Sequence, residues 1–188
     1  MKKYRNERQL IEACLQKRRK AQFALYERYK VAMYAVCMRY AKTEAQAQDF
    51  LQEGFIKVFK SLGQYRFEVA IEYWMKRVVA NACISELRRK KDPLNKVVSI
   101  EQLPEQSQAS EIEINTSGLK AKQLIQLIQQ LPDGYRSIFN LYALEGYSHQ
   151  EISEIMNISA GTSRSQYARA KKLLAKQINQ IKTGCHEA

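Results

Sequence analysis

All three prolines of this 188-residue chain, Pro93, Pro104 and Pro132, lie after residue 92, and this placement constrains the fold more than any other feature. Proline breaks helices because it lacks a backbone N–H and its ring clashes with the preceding turn. The proline-free part shows helical periodicity, which predicts helices near 6–16, 20–41, 44–61 and 71–91. Further helices are predicted near 119–131, 133–144, 148–156 and 160–181. No β-hairpin signal stands out, and the sequence therefore predicts an all-α protein.

The charged residues divide the chain into three parts. Residues 1–92 contain 21 Lys and Arg against 10 Asp and Glu, residues 93–117 contain 1 against 4, and residues 118–188 contain 9 against 5. The middle part is rich in Ser, Gln, Asn and Glu, which predicts a flexible acidic linker. We therefore predict two small helical domains, 1–92 and 118–188, joined by that linker. The net charge of +12 favours a polyanionic partner whose binding weakens with salt.

The cysteines and the hydropathy pattern limit the remaining classes of protein. Cys14, Cys37, Cys83 and Cys185 are widely separated and form no CxxC pair, so we expect no disulfide framework, metal site or cofactor. No apolar run approaches the roughly 20 residues that cross a bilayer. The basic N-terminus leads into no signal-peptide core, and we expect a cytoplasmic protein.

The pattern from residue 148 to about 181 predicts two helices joined by a short turn. Ser148 and Glu151 have the spacing of a capping box, in which each side chain accepts a hydrogen bond from the other residue's backbone N–H. Asn157 suits the end of that helix, and Ser159 can cap the next one. A turn of about three or four residues between two helices is typical of a helix-turn-helix motif.

The second of these helices has two different faces. Ser163, Tyr167, Ala170 and Leu174 follow helical spacing and are expected to face the core. The opposite side carries small and basic residues that suit a DNA major groove: Gly161, Ser165, Ala168, Arg169 and Lys172, with Arg164 at the edge. The alternative interpretation is an ordinary amphipathic helix with a solvated basic face.

An acidic patch interrupts the basic N-terminal part. Thr43 and Gln46 predict a capping box at the start of a helix whose buried stripe is Leu51, Phe55, Val58 and Leu62. Beside this stripe, Asp49, Gln52 and Glu53 are spaced to lie together. They form either a solvated face or a docking site for a basic protein surface.

A third pattern suits a single nucleic-acid strand. One stripe of the helix near 71–91 carries an aromatic, an amide and cations: Trp74, Arg77, Asn81, Ser85 and Arg88. The preceding loop, with Tyr65, Arg66, Phe67 and Tyr73 nearby, could bind an extruded base. The alternatives are that Trp74 belongs to the core and that the terminal cations only offset the helix dipole.

These motifs, taken in order, resemble the extracytoplasmic-function (ECF) sigma factors of bacterial RNA polymerase. The resemblance is carried by the segments 49-DFLQEGFIKV-58, 73-YWMKRVVAN-81, 131-LP through 146-GYS-148, and 161-GTSRS-165. It implies two helical domains, sigma region 2 at 1–92 and sigma region 4 at 118–188. It also implies binding to core polymerase and promoter DNA, with an anti-sigma protein as a further partner, and it implies no catalysis by this chain.

The resemblance also implies roles for individual residues. The patch of Asp49, Gln52 and Glu53 matches the contact with the clamp helices of the polymerase beta-prime subunit. The loop at 63–73 and the following helix match the part that opens the minus-10 element and captures a flipped base; its candidates are Tyr73, Trp74, Lys76, Arg77, Asn81, Arg88 and Arg89. The minus-35 candidates are Thr162, Arg164, Ser165, Gln166, Arg169 and Lys172. The rest of that domain would lie on the beta flap, and the acidic linker would run toward the RNA exit path.

Three positions depart from the commonest family pattern, whereas Gly54 is a residue that many sigma factors tolerate. Ser163 replaces a usual valine, Gln166 a frequent arginine and Tyr167 a usual leucine, so a known minus-35 preference does not transfer to this chain. Gly54 lies in the docking helix, where glycine costs about 1 kcal/mol of helix stability against alanine.

Two other functions share part of this pattern. A stand-alone helix-turn-helix regulator has the same C-terminal motif, but a receiver domain would show alternating strands and helices in residues 1–92. A nuclease would need a catalytic constellation, and neither His149 nor His186 lies in a carboxylate cluster with metal-binding spacing.

Overall fold

The computed structural model describes residue 4, residues 6–90 and residues 120–184, and this part of the chain is helical with no strand. It forms two compact units that divide between Cys83 and Ile84. The helices are α1 (Glu7–Leu15), α2 (Arg19–Tyr40), α3 (Glu44–Ser61), α4 (Ile71–Lys90), α5 (Ala121–Gln130), α6 (Asp133–Phe139), α7 (His149–Met156) and α8 (Ala160–Gly184). The all-α prediction is confirmed, and the predicted linker at 93–117 lies outside the described residues.

Short polar side chains cap two helices of the first unit, α1 and α3. Asn6 accepts a hydrogen bond from the Gln9 N–H at 2.8 Å and caps α1. Thr43 accepts one from the Gln46 N–H at 3.2 Å and caps α3, as predicted. The second half of the predicted capping box differs, because the Gln46 side chain accepts from the Lys42 N–H at 2.7 Å instead of the Thr43 N–H. This bond holds the residue before the cap.

The core of the first unit lies where α1 and α3 pack against α2. Its fully buried side chains include Leu25, Met33 and Phe50. The predicted stripe on α3 is confirmed at Phe55, Val58 and Leu62, which are all buried. At Leu51 the prediction is wrong: this side chain is only half-buried, and its neighbour Phe50 is fully enclosed. The buried face of α3 is therefore rotated slightly toward Phe50.

The second unit is built around α8. Its core contains residues from the following helices: Leu127 and Ile128 of α5, Phe139 of α6, and Ala170, Leu174 and Ile178 of α8. The helix predicted near 133–144 is one continuous segment with two geometries, since the α-helix ends at Phe139 and a π-helical turn follows over Asn140–Leu144. This wider turn leads into Gly146, which has a positive φ of 75°.

A buried charge ties α5 to α6. Arg136 is fully buried, and its guanidinium forms an ion pair with Asp133 at 2.7 Å. It also donates to the backbone carbonyl of Gln129 at 2.9 Å, near the end of α5. Burial lowers the pKa of Arg136, and the neighbouring Asp133 carboxylate partly opposes this shift. The side chain thus satisfies a carbonyl at a helix terminus, which would otherwise lack an intrahelical partner.

Candidate nucleic-acid and polymerase interfaces

Helices α7 and α8 form the predicted helix-turn-helix. The capping box is complete: the Glu151 N–H donates to Ser148 Oγ at 3.2 Å, and the Ser148 N–H donates to Glu151 Oε2 at 2.8 Å. Asn157 ends α7 in the left-handed conformation, with φ of 54°. Ser159 accepts from the Thr162 N–H at 2.9 Å and so caps the start of α8. Only residues 157–159 separate the two helices, as the turn prediction requires.

The predicted recognition face of α8 is partly accessible. Gly161, Arg164, Ser165 and Lys172 are exposed, whereas Thr162, Gln166, Ala168 and Arg169 are half-buried. The Gln166 side chain lies beside α6, since its Oε1 would be 3.2 Å from a Cβ at Gly134. On the opposite side, Ser163, Ala170 and Leu174 are fully buried and Tyr167 is half-buried, which confirms the predicted core face.

A polar aromatic cluster lies between α7 and α8. His149 Nδ1 is 2.9 Å from Ser163 Oγ, and the imidazole stacks on Tyr142 with ring centroids 4.2 Å apart and planes at 12°. Tyr167 packs against both rings, with centroids 4.6 Å from Tyr142 and 5.8 Å from His149. Burial lowers the pKa of His149, and the positive charge of Arg164 lowers it further. The neutral imidazole is thus the favoured form.

The predicted docking patch lies on the outer side of α3. Asp49 and Gln52 are exposed and Glu53 is half-buried. The next residue, Gly54, is buried, and a Cβ there would lie 3.1 and 3.2 Å from the two γ-methyl groups of Val79 on α4. Close packing of α3 on α4 therefore holds the helix that presents the three polar side chains.

The loop before α4 is organised by aromatic rings. Tyr65 lies between Phe67 and Trp74, with ring centroids 4.7 and 5.5 Å away, and its hydroxyl donates to the Val69 carbonyl at 2.5 Å. Phe67 has a positive φ of 62° and a side chain that is 43% exposed. The Arg8 guanidinium lies over the Phe67 ring at 5.1 Å. An exposed aromatic residue in a strained conformation is a feature of functional loops.

The predicted strand-binding residues of α4 differ in exposure and pairing. Tyr73, Asn81, Arg88 and Arg89 are exposed, whereas Trp74, Lys76 and Arg77 are half-buried. Lys76 forms an ion pair with Glu72 at 2.8 Å, and Arg89 forms one with Glu86 at 2.7 Å. Each cation keeps further N–H donors that could hold a phosphate beside the carboxylate.

Comparison with known proteins identifies the family. Sigma-70 region 2 matches residues 25–92, and Sigma-70, region 4 matches residues 121–174. The ECF RNA polymerase sigma factor SigM of Mycobacterium tuberculosis is 26% identical to the chain, over 96% of this chain and 88% of that protein. The chain belongs to the sigma-70 family, as an ECF sigma factor. The ECF sigma factor SigW of Bacillus subtilis is 29% identical, over 81% of this chain and 86% of that protein.

A solved structure supports the fold of the sigma factor. The sigma factor RpoE of Bartonella quintana, crystallised with the anti-sigma factor NepR, aligns with a TM-score of 0.51 at 16% identity. The alignment covers 83% of this chain and 97% of that one. The two helical regions expected from the sequence resemblance are thus supported by family models and by a structural neighbour.

Two contacts near the candidate surfaces, His149 with Ser163 and Arg8 with Phe67, were not predicted from the sequence. The sequence presents His149 only as a catalytic candidate, although Ser163 on a predicted buried stripe signals a hydroxyl that needs a partner. The contact of Arg8 with Phe67 has no signal in the sequence, because the two residues belong to separate elements.

The described residues contain no group of three or more His, Cys, Asp or Glu side chains arranged to hold a metal ion. Within the same part of the sigma factor, no helix combines the length and the apolar character needed to span a bilayer.

Proposed function

We propose that this sigma factor uses three separate surfaces to start transcription. The α3 patch of Asp49, Gln52 and Glu53 docks on the beta-prime clamp helices of core RNA polymerase. The loop at 63–73 and α4 bind and open the minus-10 element. The outer face of α8 recognises the minus-35 element in the major groove. Membership of the sigma-70 family, matched in both of its DNA-binding regions, is the observation that carries this proposal.

The docking surface is supported by its charge and its exposure. Residues 1–92 are strongly basic, so an exposed acidic group on α3 is unfavourable for DNA binding and favourable for a basic protein surface. Asp49 and Gln52 project from a helix fixed by the Gly54 and Val79 contact. A rigid helix presents side chains more accurately than a loop does.

The minus-10 surface is supported by the aromatic loop and the polar face that follows it. Phe67 and Tyr73 are exposed aromatic side chains on which a base can stack. Arg77 and Asn81 lie one turn apart on α4 and can bind phosphate and base edges. A flipped base would be held between the loop and this helix, and DNA opening would follow from its capture.

The minus-35 surface is supported by the exposed face near the start of α8. Arg164 and Ser165 are exposed next to the capped turn, and the small Gly161 beside them permits close approach to a groove. Arginine donates two hydrogen bonds to guanine, and such a contact discriminates between bases by about 1 to 3 kcal/mol.

In vitro transcription from a genomic fragment library tests the overall function. Core polymerase is used with and without the sigma factor, and the 5′ ends are mapped. We expect new start sites that share two upstream elements. Tight binding to duplex DNA alone, with no new start sites, would support a stand-alone regulator instead.

Titration of core polymerase with charge-neutralised variants tests the docking patch. We expect Asp49→Asn and Glu53→Gln to weaken binding. The control is Glu44→Gln, an exposed carboxylate about 140° around the same helix from Asp49. Equal affinities for all three variants would contradict the docking assignment.

We further propose that the polymerase performs all the chemistry, that the sigma factor acts in the cytoplasm where polymerase and chromosome meet, and that an anti-sigma protein regulates it. We also assign sigma region 2 to residues 1–92 and sigma region 4 to residues 118–188, joined by the linker at 93–117.

Co-purification of the tagged sigma factor from its own organism tests for the anti-sigma protein. A polymerase-free complex with a second protein would support this regulator, and recovery of polymerase alone would oppose it.

A further inference from the structure

Ser163 is a polar residue in an apolar position. It is fully buried near the start of α8, where the family pattern usually has valine, and its hydroxyl lies 2.9 Å from His149 Nδ1 at the start of α7. A buried hydroxyl without a hydrogen bond is unfavourable, and here His149 supplies the partner. The bond therefore joins the two helices of the DNA-binding motif at one defined point.

Tyr167, the second departure on the core face of α8, belongs to the same cluster. Its ring packs against Tyr142 and His149, and the imidazole is stacked on Tyr142 nearly parallel to it. The imidazole thus contacts both of the α8 residues that depart from the family pattern on this face. Together, His149, Ser163 and Tyr167 replace an apolar contact between the two helices with one that includes a directional hydrogen bond.

The direction of this contact matters because recognition residues lie on both sides of Ser163 in the chain. Close packing of apolar side chains already limits the rotation of one helix on another. A hydrogen bond adds a narrower limit, because it weakens steeply when its distance or angle changes. Arg164 and Ser165, two of the exposed residues of the recognition face, are the next two positions. A rotation of α8 on α7 would move both of them relative to the DNA.

We propose that His149 is a positioning residue for the recognition helix. Its hydrogen bond to Ser163 and its stack on Tyr142 fix the rotation of α8 on α7, and this rotation sets how well the sigma factor discriminates between minus-35 sequences. The inference rests on the proposed minus-35 role of α8. It goes beyond that role by assigning discrimination to a side chain on the other helix of the motif.

The test separates the hydrogen bond from the aromatic stack. His149→Phe retains a ring on Tyr142 but has no hydrogen-bonding atom, whereas His149→Asn retains a polar atom near the Nδ1 position but has no ring. Ser163→Ala removes the hydroxyl, and it is measured alone and together with His149→Phe. The apolar double variant, His149→Phe with Ser163→Val, fills the site without polar atoms, and thermal melting checks that the motif stays folded.

The readout is transcription by the holoenzyme from a mapped promoter, divided by transcription from the same promoter with single minus-35 base-pair changes. We expect this ratio to fall about fivefold or more in His149→Phe, in Ser163→Ala and in the apolar double variant, which is the loss of about one base contact. The double variant of His149→Phe and Ser163→Ala should fall no further than either single one, and His149→Asn should keep most of the ratio. The transcription that remains from the promoters with a changed minus-35 element should differ little between these variants and the wild type.

Two results would overturn the proposal. One is a wild-type ratio in the folded apolar double variant, because an apolar contact would then suffice. The other is multiplicative loss in the double variant of His149→Phe and Ser163→Ala, because the two residues would then act independently. Arg164→Ala is measured in parallel. If it also keeps the full ratio, the minus-35 assignment of α8 itself fails.

Discussion

Replacing Gly54 with alanine sets helix propensity against packing within one buried contact. In an isolated helix the change would stabilise by about 1 kcal/mol. In the first unit the new Cβ would lie 3.1 and 3.2 Å from the two γ-methyl groups of Val79 and 3.5 Å from its Cβ. Favourable carbon contacts lie at about 3.5 to 4.0 Å, so both methyl groups would be too close.

Val79 cannot relieve this crowding by rotation. Valine in a helix strongly prefers one χ1 rotamer, and either other rotamer would still leave one of the two methyl groups facing the new Cβ. The α3 and α4 backbones must therefore move apart by a few tenths of an ångström. Overpacking of this kind costs about 1 to 3 kcal/mol, which exceeds the propensity gain. We expect Gly54→Ala to lower the free energy of unfolding of the first unit by about 1 kcal/mol.

Urea denaturation followed by fluorescence is the assay, because Trp74 is the only tryptophan of the chain and lies in the first unit. Gly63→Ala is the control: a Cβ there would meet only Leu15 Cδ2 at 3.9 Å, which is an ordinary contact. Val79→Ala should destabilise alone, yet it should remove most of the cost of Gly54→Ala. A Gly54→Ala protein as stable as the Gly63→Ala protein, or additive effects of the two changes, would refute this reasoning.

Three further changes address the second unit. Arg136→Met should destabilise the second unit by about 3 kcal/mol, because it removes the buried ion pair. Asp133→Asn should destabilise it by less, because Arg136 keeps its hydrogen bond to the Gln129 carbonyl, and thermal melting compares the two variants. Asn157→Ala should cost about 1 kcal/mol and Asn157→Gly almost nothing, since the left-handed backbone disfavours a Cβ; equal melting temperatures would contradict this. The pKa of His149 is lower in the folded protein than in the unfolded chain, so the unfolded chain binds the proton first as the pH falls through about 6.5. The free energy of unfolding should therefore decrease below that pH, and His149→Phe should remove this contribution.

The helices and several of their caps could be predicted from sequence because their causes are local. Helical periodicity and the pairs Ser148 with Glu151 and Ser159 with Thr162 involve residues within one turn of each other. The same locality limits the prediction. Gln46 bonds to the Lys42 N–H instead of the Thr43 N–H, a choice between neighbouring donors that a spacing rule does not make.

The choice between neighbouring residues as core members required the tertiary structure. Phe50 and Leu51 are both apolar and adjacent, so helical periodicity alone does not decide which of them belongs to the buried stripe of α3. The packing of α3 on α2 encloses Phe50 and leaves Leu51 half-buried. The α6 helix shows the same limit, because nothing in the residues 140–144 alone indicates that the backbone widens there into a π-helical turn.

The sequence proposes candidate residues for each surface, but it determines neither their exposure nor their geometry: Arg164 and Ser165 are exposed, whereas Trp74 and Gln166 are half-buried. Phe67 is held in a conformation that costs about 1 to 2 kcal/mol for a residue other than glycine. The contacts that offset this cost come from Tyr65 in the same loop and from Arg8 on α1, a helix that precedes the residues matched by region 2. Since Arg8 reaches Phe67 only after α1 has packed, the loop conformation is a consequence of the fold. The environment of Ser163 on α8 is likewise a consequence of the fold. Its hydrogen-bond partner, His149, lies on another helix, so the buried hydroxyl is satisfied only when the two helices pack together.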